Sequence, residues 1–369
     1  MTMLQGERPA EPQLQLHTTP ADFGAGRCRG VRLTGEGPAA RLVLDARRLR
    51  PHHDGGGRAW RGVYVSPIWT APAFDQLIIS WNADTPPGTW LRIDARAGRA
   101  SARRWTRWYA LALWSADNAT LQRRSLPDQR DRHGAVATDT LLLAAGGYTR
   151  YQYRLTLWTN DPASTPAVRR IAVLTDDSRV PPGAAPQPAG LAWGRDLPVP
   201  PRSQMPYPQG HGWCSPTSTA MVLAYWGHHV PVPEAAAATF DHTYGGTGNW
   251  SFNTAWAATF GLCAYVTRLR SLADLEAWIA ARVPVIISIA VRDGELPGAP
   301  YRHSDGHLLV VRGFTTEGDV IANDPAFPDD AAVRVVYPRT ALERAWLGHS
   351  RGTCYLIYPA DHPPPAAPR

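Results

Sequence analysis

The sequence predicts two fold classes in succession, an antiparallel β-sandwich and then an α+β domain, and three observations carry that prediction. From about residue 26 to 176, short runs alternate apolar and polar side chains with period two. Residues 178–202, SRVPPGAAPQPAGLAWGRDLPVPPR, are rich in proline, alanine and glycine and hold no sustained periodicity. Beyond them, apolar residues recur first at helical spacing and then in strand-length runs, the order expected of an α+β domain.

Within the first half, TWLRIDARA (89–97) sets Leu91, Ile93 and Ala95 on one face against Trp90, Arg92, Asp94 and Arg96 on the other. RYQYRLTLW (150–158) does the same with Tyr151, Tyr153, Leu155 and Leu157. Comparable runs at 28–35, 40–46, 61–69, 74–83, 108–114, 139–145 and 169–177 are spaced as in a jelly-roll-like sandwich with no helix of consequence. The expected organisation is a disordered or extended N-terminus (1–25), a β-sandwich (26–177), a Pro-rich linker (178–202), an α+β domain (203–359) and a disordered tail (360–369).

In the second half a helix is expected to start beside Cys214, with Ser215 as its N-cap and Pro216 in the first turn, and to run to about Trp226. Further helices are expected at 252–261 and 271–283, the latter opening with Ser271 and Asp274 at capping-box spacing. Strands are expected at 284–291, 307–314, 319–323, 332–337 and 353–358, with a short helix at 339–347.

Composition narrows the function. The chain has 369 residues, 44% of them hydrophobic and 19% charged, which describes a soluble globular protein of two domains. The net charge of +7 rests on 38 basic residues, all arginine, spread along the chain rather than clustered, so no nucleic-acid partner is expected. Without lysine there is no Walker A phosphate loop. The longest clean apolar run, VPVIISIAV (283–291), is too short to insert in a membrane, and the N-terminal stretch lacks the apolar segment of a signal peptide. The expected compartment is the cytoplasm, or the cell exterior if the true start lies elsewhere. Cys28, Cys214, Cys263 and Cys354 are too few and scattered for a disulfide framework or a CxxC metal site, and no metal or cofactor is expected. Cys28, Cys263 and Cys354 read as buried thiols in strands.

The chemistry centres on HGWCSPTSTAMVLAYWG (211–227). A thiol at a helix N-terminus is acidified by the helix dipole, and Cys214 stands there. A nucleophilic cysteine needs a base, and His307 follows a glycine at the mouth of an apolar strand, DGHLLVVRGF. If TTEG (315–318) is a hairpin turn, a register centred on it places Leu309 opposite Asp324, with His307 two residues away on the same face. Asp324 can then orient the imidazole; Asn323 faces the other way, and Asp305 reads as a solvated loop residue. An oxyanion donor is offered upstream by Gln204 or Gln209. Trp213, Trp250 and the glycine-rich GGTGNWSFNTAW border the expected cleft, while Trp105, Trp108 and Trp114 offer either core packing or a ligand platform.

SQMPYPQGHGWCSPTSTAMVL, followed by GHLLVVRGF and DVIANDPA, resembles the C39-like cysteine peptidases of the papain-like superfamily over about residues 200–358. The resemblance implies a papain-like α+β fold with Cys214 as nucleophile, His307 as base, Asp324 as orienting acid and an upstream glutamine in the oxyanion hole. Gln204, at the end of a short lead-in segment, fits the family's pattern better than Gln209. Members that trim double-glycine leaders are fused to an exporter, which this chain lacks; the sandwich instead resembles galactose-binding-like and other carbohydrate-binding modules. The expected reaction is hydrolysis of a peptide or related amide bond through a thioester, on a peptide or protein substrate, with a glycan or cell-wall polymer as a partner of the sandwich. The alternatives are an amidase, isopeptidase or transglutaminase-type acyl transferase, and a glycan- or polymer-binding protein with a vestigial triad.

Overall fold

A computed structural model describes residues 12–53, 58–100, 104–181, 190–362 and 364–365. In chain order the first part comprises β1 (Gln13–His17), α1 (Pro20–Gly24), β2 (Arg27–Arg29), β3 (Val31–Thr34), β4 (Arg41–Leu44), β5 (Arg50–His53), β6 (Arg58–Val65), β7 (Trp69–Phe74), β8 (Gln76–Asp84) and β9 (Thr89–Gly98). It continues with β10 (Tyr109–Trp114), β11 (Arg124–Ser125), β12 (Arg130–Asp131), β13 (Gly134–Ala137), β14 (Thr140–Leu143), β15 (Tyr148–Thr159) and β16 (Ala167–Asp176). The second part comprises β17 (Arg195–Asp196), α2 (Cys214–Tyr225), α3 (Val232–Thr239), α4 (Trp250–Ala258), β18 (Cys263–Arg268), α5 (Leu272–Ala280), β19 (Val285–Val291), β20 (Ser304–Phe314), β21 (Val320–Asn323), β22 (Arg334–Tyr337), α6 (Arg339–Ser350) and β23 (Thr353–Tyr358).

These strands form three antiparallel sheets in a mixed α/β chain. The first runs β12-β13-β14-β8-β16-β4-β3 with β1 added on β16, and the second β11-β10-β9-β15-β6-β2 with β5 and β7 paired onto β6 and β15. Alternation does what pleating requires: Leu91, Ile93, Ala95, Tyr151, Tyr153, Leu155 and Leu157 are all buried. Asp94, on the polar face of β9, is buried as well, because Arg92 and Arg154 close over it with ion pairs of 3.0 and 3.2 Å. The third sheet, β18-β23-β19-β20-β21-β22 with β17 on β20, belongs to the second part.

The two parts share one continuous apolar core. Strand β8 joins them: Asn82 Nδ2 donates to the Ala264 carbonyl at 2.6 Å, Ser80 Oγ accepts the Val266 N–H at 3.1 Å, and Ser251 Oγ donates to the Ile79 carbonyl at 2.8 Å. Phe252 of α4 packs edge-on to Trp81, with ring centroids 6.1 Å apart, and lies 5.3 Å from Trp114. Asp176 at the end of β16 is ion-paired to Arg268 and, at 2.7 Å, to Arg351. Burying polar groups at such a junction is tolerated because each is paired.

Several expectations are corrected. Of the segment 1–25, expected to be disordered or extended, the first eleven residues lie outside those described, while QLQLH is extended and built into the first sheet, pairing with β16 as β1, and His17 Nδ1 lies 3.0 Å from the Tyr153 hydroxyl. Thr19 then caps α1 in a box with Asp22. In the linker, 182–189 lie outside the described residues, whereas Arg195–Asp196 pair with β20 and Leu197 and Val199 are buried, so its end is built into the second part. Of the tail, 363 and 366–369 lie outside the described residues, and His362 Nε2 is fixed to the Ala281 carbonyl at 2.6 Å. Cys28 is exposed rather than buried, because β2 is a short edge strand. Trp114 packs in the core, while Trp105 and Trp108 sit in a ladder with Arg96, which lies 4.6 Å from each ring centroid, and with Arg154. Helix α3 was not anticipated, its only large apolar residue being Val232. Among the described residues no helix is long and apolar enough to cross a membrane.

Candidate active site

Helix α2 begins two residues earlier than its sequence suggests. Trp213 occupies the N-cap position without a side-chain cap, and the Thr217 N–H reaches the Trp213 carbonyl at 3.0 Å. Ser215 therefore lies inside the helix, where its hydroxyl is 2.9 Å from that of buried Tyr355. This makes Cys214 the first helical residue, its N–H among those that an α-helix leaves without an internal partner. Residues Ser215 to Ala224 are all buried, so the helix is enclosed on every side. Ser218 Oγ donates to the Leu308 carbonyl at 3.1 Å, fixing the helix to β20 one residue from His307.

Opposite α2, β20 and β21 set the base and the acid. Near the turn the register is offset, with Phe314 opposite Val320 and Gly313 opposite Ile321. A bulge at Arg312 absorbs one residue, after which Val311 faces Ala322 and Val310 faces Asn323. Extended one step further, that register sets Asp324 across from Leu309, on the face of His307. Gly313 permits the close approach of β17 here, since a Cβ on it would lie 2.1 Å from the Arg195 carbonyl oxygen.

The result is a direct bond of 2.7 Å from His307 Nε2 to Asp324 Oδ1. Asp324 is fully buried and accepts three more hydrogen bonds: the Ala326 N–H on Oδ1 at 3.0 Å, and the Tyr301 and Tyr337 hydroxyls on Oδ2 at 2.9 and 2.7 Å. Burial would raise its pKa, but the His307 charge and these donors hold it below the ordinary carboxylate value. The Tyr301 ring also packs on His307, with centroids 4.8 Å apart.

With Nε2 engaged, Nδ1 is the nitrogen of His307 left to face the Cys214 thiol, and the two groups act on each other's protonation. Burial works against an imidazolium, yet the Asp324 charge, its hydrogen bond and the thiol raise His307 to about 10. Burial likewise works against a thiolate, and the imidazolium with the Leu308 and Ser215 N–H groups outweighs it, lowering the Cys214 pKa.

A cleft of about 1190 Å³ opens on this cluster, lined by Cys214, His307, Tyr301 and Gln204. Gln204 is buried; its Nε2 makes one long bond of 3.3 Å to the His211 carbonyl, and its Oε1 has no partner. Gly210 allows the chain to fold back there, since a Cβ on it would lie 1.8 Å from the Gln204 carbonyl oxygen. Gln209 is exposed and does not line the cleft. Asp305 is 98% exposed and bonds His303 at 3.1 Å. Asn323 is buried away from the site, held by Arg312 and the Val199 carbonyl at 3.1 Å each. Trp250 lines the cleft, whereas Trp213 stands beside it, its ring against Tyr207.

Sequence reasoning missed Tyr301, in the loop that leads into β20, and Tyr337, at the end of β22, and it missed the part played by the N-terminal region. Ala137, Thr138, Asp139, Thr140 and Leu142, from the β13–β14 hairpin, line the same cleft. Nothing in TDT (138–140) distinguishes it from an ordinary turn. Among the described residues no group of three or more His, Cys, Asp or Glu could hold a metal.

The fold and site thus define a mixed α/β protein with antiparallel sheets and a half-buried cysteine beside a buried histidine and aspartate at one cleft. Residues 196–354 match the model of the Peptidase_C39 like family, and residues 13–176 match that of the Peptidase C39 N-terminal domain. The chain thus carries a C39-like peptidase domain preceded by a Peptidase C39 N-terminal domain. No curated protein matches it. Among solved structures it is similar to a double glycine motif protease from an AMS/PCAT transporter in complex with the leader peptide, at 23% identity over 45% of this chain and 95% of that one, with a TM-score of 0.31. It is also similar to a C39-like peptidase from Bacillus anthracis, at 20% identity over 44% of this chain and 96% of that one, with a TM-score of 0.34.

Proposed function

We propose that the chain is a cysteine peptidase in which Cys214, His307 and Asp324 act as a triad, within a papain-like second domain preceded by a jelly-roll-like β-sandwich. The observation that carries this reading is His307, bonded through Nε2 to a buried carboxylate and lining the same cleft as a thiol at a helix N-terminus. Such an arrangement stores the pair as thiolate and imidazolium at neutral pH, which makes the sulfur a nucleophile before substrate arrives.

The Cys214 thiolate attacks the substrate carbonyl carbon, forming the C–S bond while the carbonyl π electrons move to oxygen. The oxyanion is met by the Cys214 N–H and the Gln204 Nε2, whose present bond to His211 is long enough to exchange. As the carbonyl re-forms, the C–N bond breaks and the amine leaves with the proton from His307 Nδ1. His307, now neutral, takes a proton from water as that water attacks the thioester. Collapse breaks the C–S bond, releases the acid and restores thiolate and imidazolium. Asp324 stays ionised throughout and holds the ring in the orientation that keeps Nδ1 toward sulfur.

The test is cleavage of a peptide library by wild type, Cys214→Ala and His307→Ala. The reading predicts that both variants fold and neither cleaves; equal cleavage by wild type and Cys214→Ala would sink it.

A further inference from the structure

The β13–β14 hairpin belongs to the N-terminal region, yet its turn lies in the wall of the cleft that holds Cys214. Its position is fixed rather than incidental. Thr138 takes the left-handed conformation, φ 52°, and so turns Asp139 inward, where the carboxylate Oδ2 accepts the Trp250 N–H at 2.7 Å and Oδ1 accepts the Thr140 hydroxyl at 3.0 Å. Trp250 is the first residue of α4 and closes the glycine-rich segment 241–249.

That segment is held from the N-terminal region a second time. Asp241, fully buried, accepts the Ser125 N–H of β11 at 3.0 Å on the same oxygen that takes the Thr243 and Tyr244 N–H groups, and its other oxygen accepts Asn249 Nδ2 at 2.9 Å. Thr247 Oγ1 then donates to the Gly212 carbonyl at 2.6 Å, two residues before the cysteine. Hydrogen bonds therefore run from the sandwich strands through the segment to the lead-in of α2.

The surface held in this way is apolar where a soluble protein has little reason to be. Leu142 on the hairpin is 38% exposed and Tyr244 on the segment 55%, and both line the cleft. Exposed Ala137 and half-buried Trp250 lie along the same wall. Apolar side chains left open beside a reactive group are what a subsite for a substrate side chain requires.

We propose that the N-terminal domain is part of the substrate-binding site: the β13–β14 hairpin, docked through Asp139 and facing the cleft with Leu142, forms with the 241–249 segment a subsite for an apolar side chain of the peptide. The inference rests on the cysteine-peptidase reading for the nature of its ligand, a peptide in extended form. It makes specificity a joint property of both domains.

The experiment selects peptides from a library with full-length Cys214→Ala, and again with Leu142→Glu, Leu142→Ala and, as a control on an exposed strand elsewhere, Val336→Glu, each added to that background. The expected result is a preference for an apolar residue at one peptide position, weakened about tenfold by Leu142→Ala, redirected toward basic residues by Leu142→Glu and untouched by Val336→Glu. The same peptides at the same affinities with and without the Leu142 substitutions would overturn the subsite, as would retention of no peptide at all. The selected peptides are then offered to wild type: failure to cleave them contradicts the peptidase reading, whatever the Leu142 variants show of the subsite.

Discussion

The imidazole of His307 and the carboxylate of Asp324 meet at 2.7 Å inside the protein, although the turn that joins their strands is out of register with the contact. The bulge at Arg312 takes up the extra residue, and Arg312 is pinned by Asp196 at 2.6 Å. The pair is therefore held by the strand that ends the linker as well as by the hairpin itself. Asp324→Asn keeps the size of the side chain but removes the charge that favours the imidazolium. The expected outcome is a loss of kcat/KM on the order of a hundred- to ten-thousand-fold, with circular dichroism unchanged.

The protonation states give a pH window. His307 is raised to about 10, so the stabilising effect of its charge is complete below the ordinary histidine value and is lost as pH rises through about 10. Cys214 is depressed, so its thiolate persists below the ordinary thiol range and is lost only on further acidification. The rate of Cys214 alkylation by iodoacetamide, followed by intact mass, is expected to be already high at neutral pH. In Asp324→Asn its midpoint moves to higher pH; an unmoved midpoint would remove Asp324 from the electrostatics of the site.

Gln204 and Gln209 are separated by their surroundings. Gln204→Ala is expected to lower kcat by roughly a hundred- to a thousand-fold with little change in KM, and Gln209→Ala to leave both near wild type. Gly210→Ala should resemble Gln204→Ala, because the new methyl would collide with the Gln204 backbone. Steady-state kinetics on the three variants decides the assignment.

Asp139 gives a stability prediction across the domain junction. Burial raises its pKa from 3.8 to about 6, against the pull of the Trp250 N–H and Thr140. A carboxyl raised on folding contributes stability that is complete below its unfolded value and is lost as pH rises through about 6. Asp139→Asn keeps an acceptor for Trp250 without the charge, so it is expected to stabilise the fold at pH 7.5 by up to about 3 kcal/mol, seen as a higher melting temperature, and to do little at pH 4. Asp139→Ala, which orphans the Trp250 N–H, should destabilise at both. Thermal unfolding at the two pH values checks the sign.

Much of this was legible in the sequence because periodicity reports burial directly. Period-two runs gave the strands and their inward faces, and Ser271 caps α5 with the Asp274 N–H at 3.1 Å as its spacing predicted. The juxtaposition of His307 with Asp324 followed from a register centred on the turn, yet the chain reaches it through a turn offset and a bulge that compensate each other. Local rules failed where tertiary partners decide. Ser215 is a good N-cap by type, but the Tyr355 hydroxyl claims it. Tyr301 and Tyr337 bond Asp324, and Asp139 lines the cleft from the first part of the chain, and no local pattern announces such contacts.

The most direct test of the account is to incubate wild type and Cys214→Ala with a cysteine-directed probe and with a peptide library, reading probe mass and cleavage together. The account predicts one rapid label at pH 7 on Cys214, ahead of Cys28, Cys263 and Cys354, with cleavage lost in Cys214→Ala while the fold persists. Labelling of Cys214 no faster than a model thiol, or cleavage undiminished in Cys214→Ala, would contradict it.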